Sequence, residues 1–340
     1  MEEVKKNEDY VEQEFNKYLA TLGNPEFPMS TVIINAKFKA PIFEAKVMAL
    51  AYSRVTKAVR EQAGLRVRIY ADEVEKGLKR KGNSGSIYKD LEKLAKFMIS
   101  NRSIGFTDPV NKRFSYMNII NWAYYDNGAL DIYFNYAAEH FLLDYKGGFT
   151  RLELETLLSF KSVYSFRLYQ LLKSRTYLHR NKGEDKECYE IPFDIAELKL
   201  CLGIVNANYH NITTLLTDSE FPDYERAVEL APEKIYSDWR DFKKCVIDVA
   251  KKEINERTSM SIEYSTDSKR GKKGKIREIV FTVTYKNNNM SQEEEDEIEQ
   301  TCKILDSEQQ VIVDTIAIYL EKVALQFSEK DIINMAEAAE

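Results

Sequence analysis

The chain predicts an α+β, helix-rich fold made of two units of one kind in tandem, and three observations predict it. Residues 86–99 (SIYKDLEKLAKFMI) and 238–256 (DWRDFKKCVIDVAKKEINE) each carry an apolar face and a lysine-rich face at helical spacing. A short amphipathic segment precedes each helix. Two β-like runs joined by a polar or basic turn follow each. Short helix, basic helix and β-ribbon is the order of a winged helix, whose second helix enters the major groove of DNA. Two such units in one chain predict a protein that holds two adjacent grooves at once.

The elements follow in order. Residues 2–28 are polar, with Tyr10, Phe15 and Leu19 at near-helical spacing, and read as an arm closed by Pro25 and Pro28. Pro41 opens a helix over IFEAKVMALAYSRV, where its missing N–H costs nothing. Residues 66–70 (RVRIY) alternate as a strand, 71–79 form a short helix, and 82–85 (GNSG) make the turn into the first basic helix. Residues 103–107 and 113–121 read as wing strands, with Asp108-Pro109 starting the turn. Residues 129–134 alternate again, and 136–143 close the unit with a short helix.

Gly147-Gly148 marks the boundary, because paired glycines between patterned segments break the chain. Beyond it, 151–158 reads as helix, and 162–174 as a stronger helix with Val163, Phe166, Tyr169 and Leu172 on one side. Residues 181–187 form a charged loop, 189–191 a short strand and 193–200 a short helix. Residues 205–236 read as an irregular excursion. The second basic helix and strands 260–265 and 276–285 complete the unit. The expected division is an arm (1–29), a first domain (30–145), a second domain (149–286) and an acidic extension (287–340).

Length and composition agree with this division. At 340 residues, with 44% hydrophobic and 31% charged content, either half can bury its own core. The net charge of −6 hides a polarised distribution. Residues 287–340 carry 3 basic and 14 acidic side chains, and residues 1–29 carry 3 and 7. The body between them is therefore net +9. No apolar run is long enough to span a bilayer and the first ten residues are too charged for a secretory signal, so a cytoplasmic location with no membrane partner is expected.

No catalytic chemistry emerges. The four cysteines form no CxxC pair and the three histidines are isolated, so neither metal nor cofactor is expected. A GxxxxGK[ST] loop is absent, and the acidic pairs near Glu293 lie in a low-complexity run. A relaxase or nuclease would need a nucleophilic tyrosine beside clustered histidines. The chain therefore reads as a non-enzyme.

The candidate DNA-facing residues lie on the basic helices and one turn. On the first helix Ile87, Leu91, Leu94 and Met98 form the core face, and Lys89, Lys93 and Lys96 the opposite one. Ser84 and Ser86 stand at its start, where hydroxyls and free backbone N–H groups suit a phosphate or a cap. On the second helix Trp239, Phe242, Val246 and Val249 form the expected buried stripe. Arg240 is the candidate for a bidentate contact to guanine, Lys244 and Lys251 for phosphate contacts, and Lys243 lies nearer the apolar edge. The second wing turn, DSKRGKKGK, packs Lys269, Arg270, Lys272 and Lys273 around glycines that let the backbone approach DNA. Tyr124, Tyr125, Tyr133 and Tyr136 fit base stacking or core packing, and core packing is the reading preferred.

Longer segments carry a family resemblance. FLLDYKGGFTRLELETLLSFKSVYSFRLYQLLKSR (141–175), YEIPFDIAELKLCLGI (189–204) and DFKKCVIDVAKKEINERTSMSIEY (241–264) resemble the iteron-binding replication initiators of theta-replicating plasmids. YSFRLYQLL and VIDVAKKEIN are the most specific parts, and SGSIYKDLEKLAKFM (84–98) resembles the family's first winged helix. The resemblance spans roughly 30–286. It implies two winged helices related by pseudo-symmetry, binding of directly repeated double-stranded origin sites, and melting of adjacent AT-rich DNA. It further implies recruitment of host initiator and helicase proteins, and a monomer–homodimer equilibrium in which the dimer represses its own promoter. The alternative is a dedicated transcriptional repressor built from the same two domains.

Overall fold

The computed structural model describes residues 26–37, 39–55, 64–77, 84–101, 103–108, 113–143, 148–180, 188–207, 209–217, 222–233, 235–266 and 276–285. The first unit runs β1 (Glu26–Ser30), α1 (Thr31–Asn35), α2 (Ile42–Arg54), β2 (Arg66–Tyr70), α3 (Ala71–Gly77), α4 (Ser84–Asn101), β3 (Ser103–Asp108), β4 (Arg113–Asn118), β5 (Ile120–Asp126) and β6 (Ala129–Phe134), closed by a 3₁₀ turn and α5 (Glu139–Leu142). Antiparallel pairing gives a three-stranded sheet in the order β2-β6-β5 and a separate two-stranded ribbon, β3-β4.

The second unit runs β7 (Phe149–Glu153), α6 (Leu154–Ser159), α7 (Val163–Arg180), β8 (Cys188–Asp194), α8 (Ile195–Cys201), α9 (His210–Thr217) and α10 (Tyr224–Leu230). A continuous helical rod follows: α11 (Trp239–Phe242), a π turn (Lys243–Ile247) and α12 (Asp248–Arg257). Strands β9 (Met260–Thr266) and β10 (Glu278–Tyr285) end the described part. Its sheet has the order β8-β10-β9. In both units the strand before the helices pairs with the last strand, and the middle strand takes the edge. That shared order, with a basic helix preceding each hairpin, makes the two winged helices equivalent.

The halves are not separate beads. Strand β1 pairs antiparallel with β7 (Phe27 opposite Leu152), and one apolar cluster runs from Phe27 through Val47, Ile132 and Leu172 to Val283. Helix α7 sits at its centre, against α1 and α2 on one side and β8 and α12 on the other. The Arg167 side chain, 5% exposed, crosses this seam. Its guanidinium donates to the carbonyls of Ile34 (2.8 Å), Ala36 (2.9 Å) and Cys201 (3.2 Å), and to Gln170 Oε1 (3.2 Å). Those carbonyls end α1 and α8, where helices leave acceptors unpaired and the dipole favours a cation.

A second polar group ties β7 to α7. Glu153 accepts from Lys173 Nζ (2.5 Å) and from the Tyr169 hydroxyl. Burial pushes the Glu153 carboxyl up, but Lys173 and the two hydrogen bonds outweigh it and hold the group below its ordinary value. A carboxylate depressed on folding contributes stability above its unfolded pKa and loses it as pH falls through the folded value. Glu153→Gln is therefore expected to be less stable than wild type at neutral pH and to converge with it in acid. Urea midpoints across pH 7 to 3 check this, and a constant offset would contradict it.

Several elements differ from expectation. Residues 26–29, read as the end of an arm, form most of β1 and bury Phe27 and Met29. The run read as helix over 151–158 starts as strand, because β1 recruits it through residue 153. The excursion at 205–236 contains α9 and α10, which share a small core of Leu200, Val205, Ile212, Ala227 and Ala231. Asp223 caps α10 by accepting from Arg226 N at 2.9 Å.

The first wing is the β5-β6 hairpin, not the 103–107/113–121 pair, which instead forms a ribbon inserted after α4. The hairpin turns through Asn127 (φ 49°) and Gly128 (φ 77°), the left-handed pair that suits a two-residue hairpin loop. Loop 181–187, the wing turn 267–275 and the acidic extension 287–340 lie outside the described residues.

Candidate nucleic-acid interface

Helix α4 orients as its spacing requires. Ile87, Leu91, Leu94 and Met98 are buried, and Lys89, Lys93 and Lys96 are exposed. Lys96 bonds Glu92 at 2.7 Å, an i,i+4 surface pair that is cheap to exchange for a phosphate. Lys89 and Lys93 have no ion-pair partner among the described residues. Helix α4 begins at Ser84, so Ser86 falls in its first turn. The side chains of Ser84 and Ser86 lie outside the described residues.

The rod of the second unit departs from a plain α-helix. Its buried face is Phe242, Val246, Ile247, Ala250 and Ile254. The expected stripe fails at Val249, which is 38% exposed, and Trp239 is only half-buried. The π turn explains the shift. It carries one more residue per turn than an α turn, so everything after it rotates by roughly 100°. Ala250 takes the inward place expected of Val249.

The cations of the rod divide into two groups. Arg240, Lys243 and Lys244 are exposed. Arg240 bonds its neighbour Asp241 at 3.3 Å, and Lys243 bonds Asp248 at 3.3 Å. Lys244 has no ion-pair partner among the described residues. Lys251 instead turns toward the wing, 2.5 Å from Glu263 and 6.0 Å from the Tyr264 ring centre. The Tyr264 hydroxyl donates to Asp248 at 2.5 Å. Burial opposes ionisation of Asp248, yet Tyr264 and Lys243 hold its carboxyl below the usual range. Lys251 and Asp248 thus fasten rod to wing. Lys269, Arg270, Lys272 and Lys273 lie outside the described residues.

The back of the rod is anchored to the corner before α7. Glu253 accepts from the backbone N–H groups of Lys161 and Ser162 (3.2 Å each), and Arg257 donates to the Ser159 carbonyl at 3.0 Å. Sequence reasoning missed this latch, since no local pattern pairs residues so far apart.

The aromatic residues of the first sheet do not all enter the core. Tyr124 and Tyr136 are exposed, as is Trp122, which stacks on Tyr133 with ring centres 4.7 Å apart. Tyr125 and Tyr133 are half-buried. The core reading therefore fails for Tyr124, which shares the outward face of β5 with Trp122 and Asp126, and for Tyr136, which stands on the 3₁₀ turn after β6. Among the described residues no cluster of three His, Cys, Asp or Glu is placed to hold a metal, and no helix is long and apolar enough to cross a membrane.

Two winged helices in tandem, each with a cationic second helix, define the class of protein. Residues 27–173 match the family described as "Initiator Replication protein, WH1", and residues 226–283 match "Initiator Rep protein, WH2". The chain belongs to this replication initiator (Rep) family. Among solved structures it is similar to the Pi initiator protein in complex with iteron DNA, at 20% identity and a TM-score of 0.54, covering 78% of this chain and 98% of that one. At that identity the likeness concerns the fold. A search of curated proteins returns no match.

Proposed function

We propose that this chain is a sequence-specific, double-stranded DNA-binding initiator of plasmid replication that acts without catalysis of its own. The observation that carries the proposal is the pair of equivalent winged helices, each presenting exposed cations on the helix that precedes its hairpin. In this reading α4 and the α11–α12 rod enter successive major grooves of one directly repeated site. Residues 30–145 and 149–286 are the two DNA-facing divisions, joined by one core. Lys89, Lys93, Lys96 and Lys244, with Lys269, Arg270, Lys272 and Lys273 of the wing turn, hold phosphates. Arg240 reads a base. Lys243 and Lys251 keep the rod in place beside Asp248 and the wing. Melting of AT-rich DNA, docking of host initiator and helicase proteins, autorepression by a homodimer and a cytoplasmic location belong to the same proposal.

Footprinting on the DNA that flanks the gene tests it, with permanganate added to mark unpaired thymines. Protected direct repeats beside reactive AT-rich DNA are expected. A lone inverted repeat over a promoter, with no reactive thymines, would make the chain a dedicated repressor. Within the protected site, Arg240→Ala is expected to cost about 1–3 kcal/mol at one base position. Competition with single-base variants of the repeat measures that preference. An equal loss on cognate and random DNA would remove the base-reading role.

A further inference from the structure

The π turn leaves one residue unexplained by packing. Val249 is apolar and β-branched, yet it stands on the outward side of the rod at 38% exposure while Ala250 fills the core position beside it. Cys245, one turn earlier, is exposed too. Lys244 and Lys252 are exposed on the same stretch. An isolated surface valine is ordinary. This one sits between cations, on the element whose outward side faces the groove if the proposed function holds. In the major groove the apolar feature of a base pair is the thymine 5-methyl group.

We infer that Val249 is a specificity-determining residue that packs against thymine methyl groups, with Cys245 widening the apolar strip. The inference deepens the proposed function and rests on it. Arg240 and the lysines supply hydrogen bonds and charge, and Val249 supplies discrimination against bases lacking the methyl. The π turn is what makes this possible. An uninterrupted α-helix would put position 249 on the buried stripe with Phe242 and Val246.

The test uses the full chain and duplexes that it enriches from a pool with a randomised central segment. Each thymine of the enriched consensus is replaced singly by deoxyuridine, which lacks only the 5-methyl. At one or two thymines wild type is expected to lose affinity roughly fourfold, the worth of one buried methyl-sized group. Val249→Ala should lose a similar factor on unmodified DNA, keep the wild-type salt slope, and show no further loss with deoxyuridine at those positions. If deoxyuridine is neutral for wild type everywhere, or Val249→Ala stays sensitive at the same thymines, this inference is overturned while the function stands. A pool that yields no consensus overturns the function and the inference together.

Discussion

Replacing Arg167 by alanine is expected to lower the unfolding free energy by about 3 kcal/mol. The side chain is buried and holds the carbonyls of Ile34 and Ala36 from the first half and of Cys201 from the second. Alanine would leave these acceptors at the ends of two helices without a donor, and an unpaired buried acceptor costs about 1–3 kcal/mol. Entry of water would soften the sum. Arg167→Lys keeps the cation but not the planar fork that reaches two helices at once, so an intermediate loss is expected. Urea unfolding measures both variants. The shared core also predicts one cooperative transition whichever half is probed. An Arg167→Ala midpoint within error of wild type would contradict the account of the seam.

The second large effect falls on DNA affinity. Simultaneous replacement of Lys89, Lys93 and Lys96 by alanine should flatten the plot of log affinity against log salt by about 2–3 units, close to one unit per lost phosphate contact. All three side chains are exposed, and among the described residues their one ion pair is the surface contact of Lys96 with Glu92. Stability should therefore move little, within about 0.5 kcal/mol. Binding titrations on the enriched duplex between low and moderate salt give the slope. An unchanged slope would place α4 away from the DNA and reduce the interface to the second unit. Deleting a whole unit is not a clean alternative, because β1 pairs with β7 and one core spans both halves.

What was legible in the sequence follows from where the determining forces are local. The stripe of Ile87, Leu91, Leu94 and Met98 reads directly, since an unbroken α-helix repeats every 3.6 residues. The same reasoning fails at Val249 because a π turn changes the period, and hydropathy alone does not announce that. The first wing was readable and misplaced. Asn127-Gly128 between alternating runs is a hairpin signal, but Asp108-Pro109 drew the turn to the inserted ribbon. Pro222-Asp223 likewise marked the start of α10 inside a segment read as irregular.

Tertiary chemistry was not legible. Reading α7 as a helix with one apolar side puts Arg167 in solvent, whereas the meeting of α1, α7 and α8 buries it. The Glu253 latch to Lys161 and Ser162 has no sequence signature. The Arg167 contacts fix the first half against the second, and the Glu253 latch fixes the rod within the second; under the proposed function the two together set whether two grooves are held in register.

Hydroxyl-radical footprinting of the full chain on its enriched duplex reads that register. Two protected patches are expected on one face of the DNA, one helical turn (roughly 10 base pairs) apart, both present at the same protein concentration. A single patch, or two patches that fill at different concentrations, would contradict that expectation.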